Sequence, residues 1–344
     1  MAVRDYELDF AKAILIILVI IGHSLQYSYG NDYLSSGHYF NNHLYRLIYS
    51  FHMPLFMMIS GYLFSTSNKR SLIQLWRLKL QAIGLPLLSF CFVCNFPYSI
   101  QLISDGLYVK GFGRLFLCLL HYKVMWFLFA LLINIFFVSM LYRIVSKRSC
   151  LYLSFCILTF FSMLIPKYWI EPEYLFTFPF FALGFALKEY NYHLYFVTKP
   201  KLIFFISIVF SIIILQFFTY DTYIYISGFC ILESPQYLFF VNLKRIIIAL
   251  IVSCAFMQLV YLLPQRIKVY CFFSKLSRFT LLIYGVNIFV DIYYPQWMDT
   301  ILLSFNCVFF PPFAFTIGVL FLSVVFHYFI QRFKLGKLLF LGKM

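Results

Sequence analysis

Ten apolar stretches separated by short polar segments account for most of the chain. A helix needs about 20 predominantly apolar residues to cross the hydrocarbon core of a bilayer, and each stretch approaches or exceeds that length. The stretches lie at residues 10–29, 45–65, 81–100, 124–142, 150–166, 174–190, 202–219, 239–262, 279–297 and 304–330. The pattern predicts an all-α polytopic membrane protein with about ten transmembrane helices.

Composition excludes a water-soluble monomer. The 344 residues are 63% hydrophobic and 11% charged, whereas soluble domains are ~45–50% apolar and ~25% charged. Ten crossings use ~200 residues and leave only about thirteen for each connection or tail. We therefore expect residues 1–344 to form a single integral-membrane domain.

The basic residues are distributed unevenly between the predicted loops. If the N-terminus is cytoplasmic and the helices alternate, 20 of the 27 Lys and Arg residues lie on the cytoplasmic side and seven on the outer side. Membrane proteins show this bias, so topology explains the net charge of +15 and no nucleic-acid partner is expected. The predicted location is the cytoplasmic membrane, with both termini in the cytoplasm.

Few ionisable side chains lie inside the predicted crossings, where such residues are costly and mark functional sites. Lys12 and His23 lie in the first crossing, and His52 lies in the second. Other ionisable residues, Asp291 and Arg245 among them, lie near helix ends, where long side chains can reach the interface. The sequence shows no metal-ligand spacing, so no metal site is predicted.

Lys12 and His23 are spaced to share one face of the first helix. Eleven steps of about 100° end about 20° past three full turns, and the rise separates the two residues by about 16 Å. A cation and an imidazole on one stripe suit an elongated anion such as an acyl-CoA thioester. Asp9 precedes Lys12 by three residues and is expected to pair with it. The alternative is a lysine that reaches the interface and a histidine that caps the helix.

His52 is expected to lie at the same depth as His23, about 10 Å below the outer surface, if the first two helices pack antiparallel. Two imidazoles at one depth form a plausible acid/base pair, since a histidine pKa of ~6.5 suits proton transfer near neutral pH. The alternative is two separate histidines hydrogen-bonded to the backbone or to water.

Two motifs resemble those of a known family. Lys12, ten residues and then His23-Ser24 are similar to the basic-x10-His motif that opens the integral-membrane acyltransferase family 3. Residues 51–62 (FHMPLFMMISGY) resemble the second-helix motif of its fucose 4-O-acetylase-like branch. Weaker similarities follow at Trp126-Phe127-Leu128, at residues 178–184 (FPFFALG) and at residues 277–287 (SRFTLLIYGVN).

The resemblance implies transfer of an acyl group, usually acetyl, from cytoplasmic acyl-CoA to a sugar hydroxyl. Acetyl-CoA would be a co-substrate, with no permanently bound cofactor, and the acceptor a polysaccharide or a lipid-linked oligosaccharide. His23 would be the catalytic histidine, and Lys12 would replace the more usual arginine. The supporting residues implied by the motifs are Ser24, Trp126, Tyr284 and Asn287. Asn287 stands where many members have histidine, so we assign it to packing or hydrogen bonding at most.

A basic loop follows the second helix. The resemblance implies that its cations bind the CoA phosphates, and simple cytoplasmic charge bias is the alternative. These cations are Lys69, Arg70, Arg77 and Lys79.

The resulting hypothesis is acyl-CoA-dependent O-acylation of a carbohydrate. His23 would act as general base or would itself accept the acyl group briefly, and His52 would orient His23 or relay its proton. The main alternative is a transporter or flippase of a small solute or lipid-linked glycan, with the histidine pair as proton relay. A further alternative is the other superfamily of membrane-bound acyltransferases, which lacks this first-helix spacing.

Overall fold

The structure, a computed structural model, describes residues 5–27, 37–67, 70–116, 125–189, 200–263, 272–273, 275–293 and 310–343. All regular secondary structure in these ranges is helical. The α-helices are α1 (Tyr6–Tyr27), α2 (His43–Ser67), α3 (Leu72–Lys79), α4 (Leu85–Ser104), α5 (Tyr108–Phe116), α6 (Trp126–Ile144), α7 (Arg148–Ser162), α8 (Pro172–Phe176), α9 (Phe178–Glu189), α10 (Pro200–Leu215), α11 (Ile224–Ser227), α12 (Pro235–Leu262), α13 (Thr280–Tyr293), α14 (Phe310–Gln331) and α15 (Lys334–Leu341). A π-helical turn joins α3 to α4, and short 3₁₀ turns occupy His38–Asn41 and Tyr220–Thr222.

Six helices in the described part of the chain are long and apolar enough to cross a membrane. They are Tyr6–Gln26, His43–Ser65, Leu72–Ser104, Trp126–Ile144, Pro235–Leu262 and Pro312–Gln331. Shorter apolar helices occur at Arg148–Ser162, Lys201–Leu215 and Thr280–Tyr293. Each of the ten predicted stretches contains a helix, so the all-helical multi-pass prediction is confirmed. The number of ten crossings and the cytoplasmic side of the termini stay predictions.

Helices α1 and α2 lie at the centre of the packed helices. In α1 and α2, 67% and 61% of the most apolar window is buried, against 28% in α14. Helix α1 packs against α2, α13 and α14, and α2 also packs against α9 and α12. Side chains on α1 and α2 are therefore shielded from lipid on most sides.

Side-chain hydrogen bonds cap the N-termini of α1 and α2. The Oδ1 atom of Asp5 accepts a hydrogen bond from the Leu8 backbone N–H at 3.1 Å. The Oδ1 atom of Asn42 accepts from the N–H groups of Leu44 and Tyr45 at 2.9 and 3.2 Å. The first N–H groups of a helix have no partner within it, so these caps fix where α1 and α2 begin.

Helices α2 and α9 touch backbone to backbone. A Cβ atom added at Gly61 would overlap the carbonyl oxygen of Phe181, and one added at Gly184 would overlap the carbonyl oxygen of Met58. Small residues let helices approach closely in membranes, where van der Waals packing drives association. Gly61, in the motif at residues 51–62, and Gly184, in the motif at residues 178–184, thus set the distance between α2 and α9.

We expect Gly184→Ala to destabilise the protein by about 1–3 kcal/mol, because the added methyl group pushes two backbones apart. Thermal unfolding of the purified protein in detergent should show a lower Tm. Gly318→Ala is the matched control, since among the described residues no atom beyond its own stretch of helix lies within 4 Å of a Cβ at that helical glycine. An unchanged Tm in Gly184→Ala would contradict the close approach.

Candidate functional site

A histidine and a carboxylate meet where α1 packs against α13. The Nδ1 atom of His23 lies 2.6 Å from Oδ2 of Asp291. The Asp291 side chain is only 3% exposed, whereas that of His23 is 20% exposed. A carboxylate in this position holds the proton on Nδ1 and leaves Nε2 of His23 as the basic atom.

Asn287 supports this pair from one turn earlier on α13. Its Nδ2 atom donates a hydrogen bond to Oδ2 of Asp291 at 2.7 Å and lies 2.9 Å from Nδ1 of His23. The Asn287 amide thus holds in place the Asp291 carboxylate, which in turn orients the His23 imidazole. Asn287 contacts both members of the pair. Asp291, which was assigned from sequence only to a position near a helix end, is the residue that joins Asn287 to the imidazole.

His52 is held by the backbone of its own helix. Its Nδ1 atom lies 2.6 Å from the carbonyl oxygen of Ile48, and the residue is 2% exposed. Because a carbonyl oxygen only accepts, Nδ1 carries the proton and Nε2 is an acceptor. His52 and His23 line the same cavity, as their predicted depth requires, but the orienting partner of His23 is Asp291.

We call this space the histidine cavity. Besides the two imidazoles, it brings together aromatic and charged side chains from several helices. They include Trp126, Glu173, Phe176, Tyr223, Tyr225, Arg245 and Tyr284.

Lys12 opens onto a second space, which we call the lysine cavity. Its volume is about 180 Å³, and Ser60, Phe127 and Thr280 also line it. The Nζ atom of Lys12 lies 2.9 Å from Oδ1 of Asp9, so the predicted pair is present. Lys12 is 19% exposed, which leaves the ammonium group accessible to an anion.

One stripe of α1 connects the two cavities. Lys12, Ile16 and Val19 face the lysine cavity, and Val19 and His23 face the histidine cavity. These positions follow the helical repeat of three and four residues. The structure therefore places Lys12 and His23 on one face of α1, as their spacing predicts.

A short segment at residues 218–228, here the cap segment, forms part of the wall of the histidine cavity. Arg245 is 3% exposed and donates hydrogen bonds to the carbonyl oxygens of Thr222 and Gly228 at 2.6 and 2.9 Å. Arg46 donates from Nε to the Phe218 carbonyl oxygen at 3.0 Å. Both guanidinium groups thus hold main-chain atoms of the cap. For Arg245 the interface position expected from sequence is wrong, since the cap buries it.

Pro54 adds an acceptor to the wall of the histidine cavity. A proline within a helix cannot donate a hydrogen bond to the carbonyl four residues earlier, which here belongs to Ser50. Both residues line the cavity. Pro54, two residues after His52, thus leaves the Ser50 carbonyl without its usual helical donor.

The remaining predicted residues fall into two groups. Trp126 lines the histidine cavity, and Tyr284 lines both cavities. Ser24 is buried, and its Oγ atom has no hydrogen-bond partner among the described residues. The structure thus joins Trp126 and Tyr284 to the site, and it gives Ser24 no comparable position.

The predicted basic loop is helical in part, because Arg77 and Lys79 lie on α3, and its described cations do not line the lysine cavity. Arg70 and Arg77 are exposed, and the Nζ atom of Lys79 lies 5.4 Å from the centre of the Phe64 ring. None of the three lines the lysine cavity, and Lys69 lies outside the described residues. Within the described ranges, no group of three or more His, Cys, Asp or Glu residues could hold a metal ion.

Comparison with known proteins agrees with the family motifs. The acyltransferase domain of acyltransferase family 3 matches residues 5–332. The nodulation protein NolL of Mesorhizobium japonicum is 47% identical over 91 residues, which is 26% of this chain and 23% of that protein. The nodulation protein NolL of Sinorhizobium fredii is 32% identical over 193 residues, 54% of this chain and 49% of that protein.

The similar region therefore spans about half the length of these relatives or less. No solved structure matches the chain. The family match, however, covers nearly the whole chain, including both motif histidines and the aspartate that orients one of them. The chain belongs to acyltransferase family 3, as a multi-pass membrane member.

Proposed function

We propose that this protein transfers an acetyl group from acetyl-CoA to a hydroxyl of a cell-surface or exported carbohydrate. The observation that carries the proposal is the stripe on α1, which joins an accessible ammonium group to a histidine oriented by a buried carboxylate. Family membership supports acyl transfer as the reaction class. The protein would act in the cytoplasmic membrane, with both termini in the cytoplasm.

The donor would enter from the cytoplasm and lie along α1. Lys12 is proposed to bind a CoA phosphate, for which lysine serves as a point charge. Because Asp9 already pairs with Lys12, the side chain is held in place before the donor arrives. Lys69, Arg70, Arg77 and Lys79 are proposed to attract CoA at the cytoplasmic surface by their charge.

The reaction would use the two imidazoles in different ways. The acceptor hydroxyl gives its proton to Nε2 of His23 while its oxygen bonds to the thioester carbonyl carbon. Asp291 stabilises the imidazolium that forms. When the tetrahedral intermediate collapses, the carbon–sulfur bond breaks and the proton passes to the leaving thiolate, so the products are an ester and CoA. His52 is proposed to relay this proton.

The polar atoms of the histidine cavity favour a hydroxyl-rich acceptor. Nε2 of His23, Nε2 of His52 and the carbonyl of Ser50 are all hydrogen-bond acceptors, and Glu173 brings a carboxylate. Arg245 already donates to protein atoms through Nε, Nη1 and Nη2. A sugar hydroxyl that reaches into the cavity can donate to such acceptors.

We expect His23→Ala to abolish O-acetylation, because the base that Asp291 orients toward the acceptor hydroxyl is lost. Asp291→Asn should lower kcat by about 10²–10⁴-fold, since the amide no longer fixes the proton on Nδ1. It should leave the KM for acetyl-CoA nearly unchanged. Mass spectrometry of surface polysaccharide from strains that carry each variant, together with kinetics in isolated membranes, provides the two measurements.

His327→Ala is the matched control for loss of a histidine within a membrane helix. His327 lies on α14, where Nε2 is 2.7 Å from Nε2 of Gln331. Normal acetylation in His23→Ala at the wild-type level of membrane protein would refute the proposal. An Asp291→Asn variant in which only KM changes would remove the orienting role of Asp291.

We expect Lys12→Ala to weaken acetyl-CoA binding by about 10- to 100-fold, because a hydrogen bond between charged groups is worth about 1.5–3 kcal/mol. Lys12→Arg should retain most of the affinity. The dissociation constant can be followed by thermal stabilisation of the purified protein over a range of acetyl-CoA concentrations.

Acetyl-pantetheine, which has no phosphate on its arm, distinguishes loss of a phosphate contact from general damage. Its binding should be nearly equal in wild type and Lys12→Ala. If acetyl-CoA binds both proteins equally, Lys12 is not the phosphate anchor.

A further inference from the structure

Three side chains form a collar between the lysine cavity and the histidine cavity. Val19 from α1, Met53 from α2 and Tyr284 from α13 line both cavities. A molecule that reaches from Lys12 to His23 along α1 therefore passes between these side chains.

Two members of the collar are fixed by packing. Val19 is 2% exposed and Tyr284 is 4% exposed, and the Tyr284 ring packs edge-on against Phe127 with 5.8 Å between ring centres. Met53 is only partly buried, and its unbranched thioether chain has three rotatable bonds. The position and size of Met53 therefore set the width of the collar.

The space beyond the collar is small. The histidine cavity has a free volume of about 40 Å³, against about 180 Å³ for the lysine cavity. In a thioester bound with its acyl group toward His23, the acyl group lies beyond the collar. It must then share the histidine cavity with the acceptor hydroxyl. An acetyl group places one methyl group beyond the carbonyl carbon, and each further methylene needs more room.

We propose that the collar of Val19, Met53 and Tyr284 selects acetyl-CoA over donors with longer acyl chains, with Met53 as the residue that determines specificity. This inference rests on the proposed function, because it takes the lysine cavity as the donor site. One methylene changes selectivity by about 10–200-fold in an apolar pocket, so the effect is large enough to measure.

The test compares acetyl-CoA, butyryl-CoA and free CoA as ligands of the purified full-length protein. Dissociation constants come from thermal stabilisation at increasing ligand concentration. Wild type should bind acetyl-CoA at least tenfold more tightly than butyryl-CoA. Met53→Ala should reduce this ratio by at least tenfold, because the shortened side chain opens the collar.

Met58→Ala is the matched control. Met58 lies on the same helix but lines a different, apolar cavity beside Leu183 and Tyr261, so the ratio should stay at the wild-type value. Val19→Ala is the second variant, which opens the collar from α1 and should act in the same direction if Met53→Ala does not fold.

The outcomes separate the two proposals. Equal binding of acetyl-CoA and butyryl-CoA in wild type, or a ratio that the folded collar variants leave unchanged, overturns the collar while CoA binding still supports the proposed function. If neither free CoA nor the two thioesters stabilise the wild-type protein, the donor site itself is refuted, and the collar falls with it.

Discussion

The hydrogen bond between His23 and Asp291 is the interaction on which the site depends. A carboxylate that is 3% exposed among apolar helices is costly unless it is paired and hydrogen-bonded. Here the imidazole and the Asn287 amide both bind Oδ2 of the carboxylate. Since the bond joins residues 268 positions apart, it fixes α1 against α13 and determines which side of α1 faces the two cavities.

Local features of the site could be predicted from sequence. The shared face of Lys12 and His23 and the pair between Lys12 and Asp9 depend only on the helical repeat, because each lies within one helix. His52 reaches the histidine cavity because α1 and α2 are consecutive helices that pack as neighbours. Each of the ten apolar stretches contains a helix, but the pattern missed the shorter helices α3, α5 and α15 and did not fix how many helices cross the membrane.

The tertiary features could not be predicted in the same way. Asp291 lies near the end of α13, a position that a surface carboxylate would also occupy, and its partner is on the first helix. The sequence feature that could have indicated the role of Asp291 is its spacing from Asn287, because the two polar residues lie four positions apart in a mostly apolar helix. The burial of Arg245 depends on the cap segment, whose path follows from long-range hydrogen bonds and not from local periodicity.

The backbone contact between α2 and α9 constrains how acceptor preference can evolve. His52 lies on α2, and Thr177 immediately precedes α9; both residues line the histidine cavity. The contact between the two helices therefore fixes the distance between these two walls of the cavity. The cap segment is held by hydrogen bonds to its main-chain carbonyls and by its buried side chains Phe218 and Tyr223. Tyr225 is exposed and also lines that cavity, so its replacement would reshape the acceptor side while the buried Phe218 and Tyr223 keep the helices packed.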